Sequence, residues 1–119
     1  MKAGKLGYAK AYEHVAQLYK EGLGVERDFK KAKHYYELGA IGGSLVARHN
    51  LACLEGNFGN NTRACKHYLI CAKAGYEPSL TQLQFAYEDG EVTKDEYAEA
   101  VRSYQKQYKE TKSAMREEA

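Results

Sequence analysis

With 119 residues, the chain has room for one domain and too little for two of ordinary size. A single proline excludes a linker-rich or low-complexity chain, and 44% apolar content is enough for a modest core. A formal net charge of +2 falls short of the bias of a dedicated nucleic-acid binder, no apolar run approaches the ~18 residues of a membrane helix, and residues 1–7 lack the apolar segment of a secretory signal.

In chain order, Ala3, Gly4, Lys5, Leu6 and Gly7 line up with Gly39, Ala40, Ile41, Gly42 and Gly43, so residues 1–7 are expected to be the end of a preceding helix pair. Ala11, Val15, Leu18, Tyr19 and Gly22 follow the i, i+4, i+7, i+8, i+11 spacing of a helix with one buried stripe. The loop Gly22-Leu23-Gly24-Val25-Glu26-Arg27 breaks that helix, and Asp28 is a suitable N-cap for the next. The second helix carries Ala32, Tyr35, Tyr36, Gly39 and Ala40 and stops at Gly42-Gly43. Two further helices are predicted near 44–57 and 61–74. A third pair starts at Glu77-Pro78-Ser79, with proline in the first turn, and breaks at Asp89-Gly90. It restarts at Thr93-Lys94-Asp95-Glu96, a capping box. The last helix is expected to bury Tyr97, Val101, Tyr104 and Tyr108, and residues 109–119 read as a charged helical extension.

These helices repeat. Ala11, Val15, Ala16 and Leu18 recur 36 residues later as Ala47, Leu51, Ala52 and Leu54. Ala32, Tyr36, Ala40 and Gly43 recur 32 residues later as Ala64, Tyr68, Ala72 and Gly75. Val15, Tyr19 and Gly22 recur 68 residues later as Leu83, Tyr87 and Gly90. A helix pair of this length cannot bury its apolar face alone, so the repeats 8–43, 44–75 and 76–108 are expected to stack. The predicted fold over residues 1–108 is therefore all-α: a right-handed α/α superhelical solenoid of about three antiparallel helix pairs.

The run Ala11-x3-Val15-Ala16-x-Leu18-Tyr19-x2-Gly22-x-Gly24-Val25-x2-Asp28-x3-Ala32-x2-Tyr35-Tyr36-x2-Gly39-Ala40-x2-Gly43 resembles the Sel-one-like repeat, a longer-looped relative of the tetratricopeptide repeat. The Gly-x-Gly-Val loop is the most specific part of the likeness, which extends over residues 3–108. The second repeat lacks that loop, His67 stands where the first has Tyr35, and Gln84 takes the small-residue slot of Ala16 and Ala52. The resemblance implies an adaptor or scaffold that offers a concave surface to peptides or proteins. Relatives suggested to act on cell-wall compounds carry regular cysteine pairs linking each hairpin, and the cysteines here do not follow that pattern.

Residues that carry chemistry point the same way. No phosphate loop, His-Glu-x-x-His motif or complete dinucleotide fingerprint is present, and His14, His34, His49 and His67 have no ligand spacing. Cys53, Cys65 and Cys71 form neither a zinc pattern nor a self-contained disulfide framework, and fit a reducing, cytoplasmic compartment. No catalytic residue, metal site or cofactor is expected, and the chain is read as a non-enzyme.

A binding groove is the better target. If the Ala11 stripe is buried, the opposite face of each first helix lines the concave surface. One row across it is His14, Asn50 and Gln82, with His49 beside it, and the next is Gln17, Cys53 and Phe85. The first row is wholly hydrogen-bonding and suits a peptide backbone, and Phe85 offers an apolar anchor. The competing reading has Asn50 bonded to a neighbouring loop and the rest of the row solvated. Lysines cluster at 30, 31 and 33 and along 106–112, away from this face and interleaved with acids as on solvated helix faces, so nucleic acid is not expected as a partner. The apolar stripe of the last helix fades after Tyr108, so a membrane is not expected either. The expected function is a protein-interaction module that binds a peptide or protein partner. The alternative is a structural repeat segment without a peptide-groove function, either self-assembling through an uncapped N-terminal end or a subunit of a larger complex.

Overall fold

The computed structural model describes residues 2–118, and the side chains of residues 7–112. The described residues form six helices and no strand: α1 (Lys2–Glu21), α2 (Phe29–Ile41), α3 (Leu45–Asn57), α4 (Asn61–Lys73), α5 (Glu77–Glu88) and α6 (Lys94–Glu118). The backbone of residues 2–7 runs into α1 without the glycine break that ends α2. Side chains before Gly7 lie outside the described residues, and with them most of the expected end of a preceding pair.

Local chemistry sets the helix ends. Asp28 is in an extended conformation, and its carboxylate accepts from the Lys31 N–H at 3.1 Å, satisfying one orphan donor of α2. Ser44 does the same for α3, its Oγ accepting from the Ala47 N–H at 3.0 Å. At α6 the capping box closes in both directions. The Thr93 N–H donates to Glu96 at 2.9 Å, and the Glu96 N–H donates to Thr93 Oγ1 at 3.1 Å.

The C-terminal ends recur at the spacings of the sequence repeat. The Ser44 N–H donates to Gly39 O at 3.0 Å, and 32 residues on the Tyr76 N–H donates to Cys71 O at 3.0 Å. The turns they close have Gly43 and Gly75 at a φ of 100°, in the left-handed region where glycine carries no Cβ penalty. The Leu23 N–H donates to Leu18 O at 3.0 Å, and 68 residues on the Glu91 N–H donates to Ala86 O at 2.8 Å.

The helices group into a first unit, Met1–Gly59 (α1–α3), and a second, Asn60–Ala119 (α4–α6). The division falls between α3 and α4, inside the expected repeat 44–75.

In the first unit α2 packs against α1 and α3, and α1 touches α3. Ala16, Ala32, Tyr36, Ala47, Leu51 and Leu54 form the core, with Tyr19 and Tyr35 packed against it. The small residues set the spacing. A Cβ on Gly39 would lie 2.8 Å from Ala47 Cβ and 3.1 Å from Ala9 O, so the helices meet there almost backbone to backbone. Tyr35 is stacked between Tyr12 and Tyr19, with ring centroids 6.1 and 5.9 Å away.

The stripe predicted for α1 differs. Ala9 and Ala16 are its buried apolar residues, whereas Ala11 is exposed and Val15 and Leu18 are half-buried. The same register on α3 (Ala47, Leu51, Leu54) is buried. The cause is packing: α1 turns the Ala9–Ala16 side to α2 and α3, which leaves the Ala11 side uncovered among the described residues.

In the second unit α4 packs against α5 and α6, and α5 against α6. Ala64, Cys65, Tyr68, Cys71 and Ala72 of α4, Ser79, Leu83 and Ala86 of α5, Val92 and Ala100 are buried. The tyrosines predicted as the core of α6 are less covered. Tyr97, Val101 and Tyr104 are half-buried and Tyr108 is exposed, whereas Ala100 is the buried residue among the described side chains of α6. The rings stack instead, Tyr97 on Tyr87 at 5.2 Å and Tyr104 on Tyr108 at 6.4 Å.

Candidate functional site

Five of the seven predicted partner-binding residues lie in the first unit. His14 and Gln17 sit three residues apart on α1 and are exposed. His49, Asn50 and Cys53 sit on α3 and are half-buried. Burial lowers the pKa of His49, which favours a neutral imidazole at pH 7. Glu13, next to His14 on α1, accepts from Ser44 Oγ at 3.2 Å and so ties α1 to the cap of α3.

Two features of this unit escaped sequence reasoning. The first is Tyr36, read as a core aromatic only. Its ring is buried, and its phenol is pushed up to about 12 by burial first and then by Glu13, Glu21 and Cys53. The phenol therefore stands in the field of groups from both α1 and α3. The second is an ion pair between Lys33 Nζ and Glu55 Oε1 at 2.9 Å, with side chains 39% and 4% exposed. Lys33 had read as one of a solvated lysine cluster, yet it neutralises a buried carboxylate across the α2–α3 contact. A glutamate in the i+4 position after the buried Leu51 was the available signal.

The other two predicted residues, Gln82 and Phe85, lie on α5 in the second unit. Both are exposed, Phe85 by 54% of its surface, so an apolar ring faces solvent at the position predicted for an anchor. A different side of α5 forms a cleft with α6 of about 390 Å³, lined by Glu77, Leu80, Thr81, Gln84, Tyr97, Tyr104 and Tyr108. Tyr104 Oη donates to Glu77 Oε2 at 3.4 Å, and desolvation together with Glu77 raises its pKa. Lys112 Nζ sits 5.4 Å from the Tyr108 ring centre. The period-3.6 reading had assigned these tyrosines to the core and so hid the cleft.

Among the described residues no cluster of three or more His, Cys, Asp or Glu side chains is placed to hold a metal. The three cysteines are free thiols, with Cys53 half-buried and Cys65 and Cys71 buried. Cys65 Sγ lies 3.9 Å from Glu91 Oε2, and burial followed by that carboxylate raises the thiol pKa, which disfavours a reactive thiolate. No described helix is long and apolar enough to cross a membrane. No protein-family model matches the chain, and no curated protein matches it either.

Proposed function

We propose that this chain is a non-catalytic protein-interaction module of the tetratricopeptide class. In this reading Sel-one-like repeats stack as a right-handed solenoid, and the partner is a peptide or protein rather than nucleic acid or membrane. The observation that supports it is the recurrence of helix-end hydrogen bonds at the 32- and 68-residue spacings of the sequence repeat, as copies of one element would show. Support for the contact surfaces comes from the exposure of His14 and Gln17 on α1, and of Gln82 and Phe85 on α5. His49, Asn50 and Cys53 add donors and acceptors on α3.

The test is affinity capture from the native cell, with the double variant Asn50→Ala/Phe85→Ala run beside the wild type. The proposal expects specific partners to be captured and the variant to lose them while keeping its helical spectrum. Unchanged capture by the variant removes these residues from the contact surface. A second reading, self-assembly, is favoured by one observation: the apolar side of α1 is uncovered, with Tyr8 71% exposed and Ala11 beside it on the same stripe.

A further inference from the structure

The first unit shows how a helix-pair groove in this chain is filled. Ala16 of α1 and Ala32 of α2 share a core with Ala47, Leu51 and Leu54 of α3, and Gly39 lets Ala47 approach closely. The second unit carries the counterpart of that seat. Matching the N-caps Asp28 and Thr93 places Tyr97 and Tyr104 where α2 has Ala32 and Gly39. Matching Leu18 and Ala86, whose carbonyls accept the equivalent closing bonds, places Gln84 where α1 has Ala16. These three line the α5–α6 cleft, which no described residue fills.

The sequence contains a helix built like the one that fills the first seat. Ala11, Val15 and Leu18 of α1 match Ala47, Leu51 and Leu54 of α3, yet Ala11 is exposed and the other two are half-buried. With Tyr8 they form one stripe at i, i+3, i+7 and i+10. Shape and charge both complement the cleft. The small side chains at Gly7, Ala11 and Val15 suit a seat lined by tyrosines, as large residues pack against small ones across a helix contact. Helix α1 carries four lysines against two glutamates, and the charged residue among those lining the cleft is Glu77, with Lys112 of α6 set against Tyr108 at its edge.

We propose that the α5–α6 cleft of one copy seats the α1 stripe of a second copy, so that the chain associates head to tail. The proposal rests on the self-assembly reading and adds to it the acceptor surface and the geometry. Such a contact is heterologous: the stripe belongs to the first unit and the cleft to the second, so a copy bound through one still offers the other.

The test is light scattering and sedimentation of the full chain over a hundredfold range of concentration. Wild type is expected to rise in mass with concentration, and to do so less at high salt. Ala11→Arg blocks the stripe and Tyr108→Glu blocks the cleft, each at an exposed position, so circular dichroism and Tm should match the wild type. Each variant alone should weaken association by at least about 10-fold. Mixed together they should form a 1:1 complex that grows no further, since one stripe and one cleft remain intact. A wild type that stays monomeric throughout overturns both this proposal and the self-assembly reading. Association that survives either substitution, or a mixture that forms no complex, overturns the cleft assignment and leaves self-assembly by another surface.

Discussion

Replacing Gly39 with alanine sets two effects against each other. Alanine is favoured over glycine within a helix by about 1 kcal/mol, and on an open face that gain would stand. Gly39 is not on an open face. The new methyl would lie 2.8 Å from Ala47 Cβ and 3.1 Å from Ala9 O, and neither neighbour is the movable end of a long side chain. Carbon atoms rest at roughly 3.5–4.0 Å, so α2 and α3 must part by on the order of 1 Å. Overpacking of this kind costs about 2–3 kcal/mol, which outweighs the propensity gain and leaves a net loss of about 1–2 kcal/mol. For a chain of this size that is a drop in Tm of roughly 4–8 °C. Urea denaturation and thermal melting read it directly. Two companions make the argument specific. Gly7→Ala lies on α1 with no atom within 4 Å of the added methyl, and should stabilise by about 0.5–1 kcal/mol. Gly39→Ala combined with Ala47→Gly moves the methyl across the contact, and should be more stable than the sum of the two single changes by roughly 1–2 kcal/mol. A stabilised Gly39→Ala, or additivity within about 0.5 kcal/mol, would refute the idea that this contact fixes the helix spacing.

Lys33→Met should destabilise by roughly 1–3 kcal/mol, because Glu55 then holds a buried charge without its ammonium partner, although the exposed side of the lysine keeps the loss below that of a fully buried pair. Adding Glu55→Leu should restore most of that loss in a urea titration, and failure to do so would sink the assignment. Thr93→Ala removes the cap of α6 and should cost about 1 kcal/mol. The Thr93 hydrogen bonds hold the Glu96 carboxyl below its ordinary value. Its contribution to stability is therefore present above the unfolded pKa and is lost as pH falls through the folded one. Melting curves in mildly acidic buffer should show this pH dependence in the wild type and less of it in Thr93→Ala. Tyr36 behaves oppositely: with a phenol raised to about 12 in the folded chain, its contribution is complete below pH 10.0 and is lost as pH rises toward 12. Absorbance titration of phenolate should show a late-titrating tyrosine that disappears in Tyr36→Phe.

What was legible in the sequence was local. Asp28, the Thr93–Glu96 box and the glycines at 43 and 75 act on backbone atoms a few residues away, so their roles can be read from spacing alone. The α1 stripe was not legible. Ala11, Val15 and Leu18 share the pattern of Ala47, Leu51 and Leu54, and which set is buried depends on which neighbours each helix has. Periodicity names a face and leaves its cover unspecified. The Lys33–Glu55 pair and the Glu13–Ser44 bond were hidden for the same reason, since each joins residues 22 and 31 positions apart. Of the residues assigned to the groove, His14, Gln17, Gln82 and Phe85 are exposed and His49, Asn50 and Cys53 are half-buried, although on α1 the packed side is Ala9–Ala16 and not the Ala11 stripe from which the face was reckoned. The tyrosines of α6 did not follow their pattern. A small residue, Ala100, is the one buried there, and the rings keep part of their surface in solvent.

The bonds that close α1 and α5 join main-chain atoms, and each turn includes one glycine in the left-handed region. The same closure serves connectors of different length, residues 22–28 after α1 and residues 89–93 after α5. Once the helix end is tied off by its own backbone, the loop beyond it has little to hold, and Leu23 and Val25 accordingly face solvent. Such loops can lengthen, shorten or accept a grafted segment without disturbing the helices they join. Residues 23–26 are accordingly a place in this chain where a tag, an epitope or a second binding sequence can be introduced at little cost to the helices.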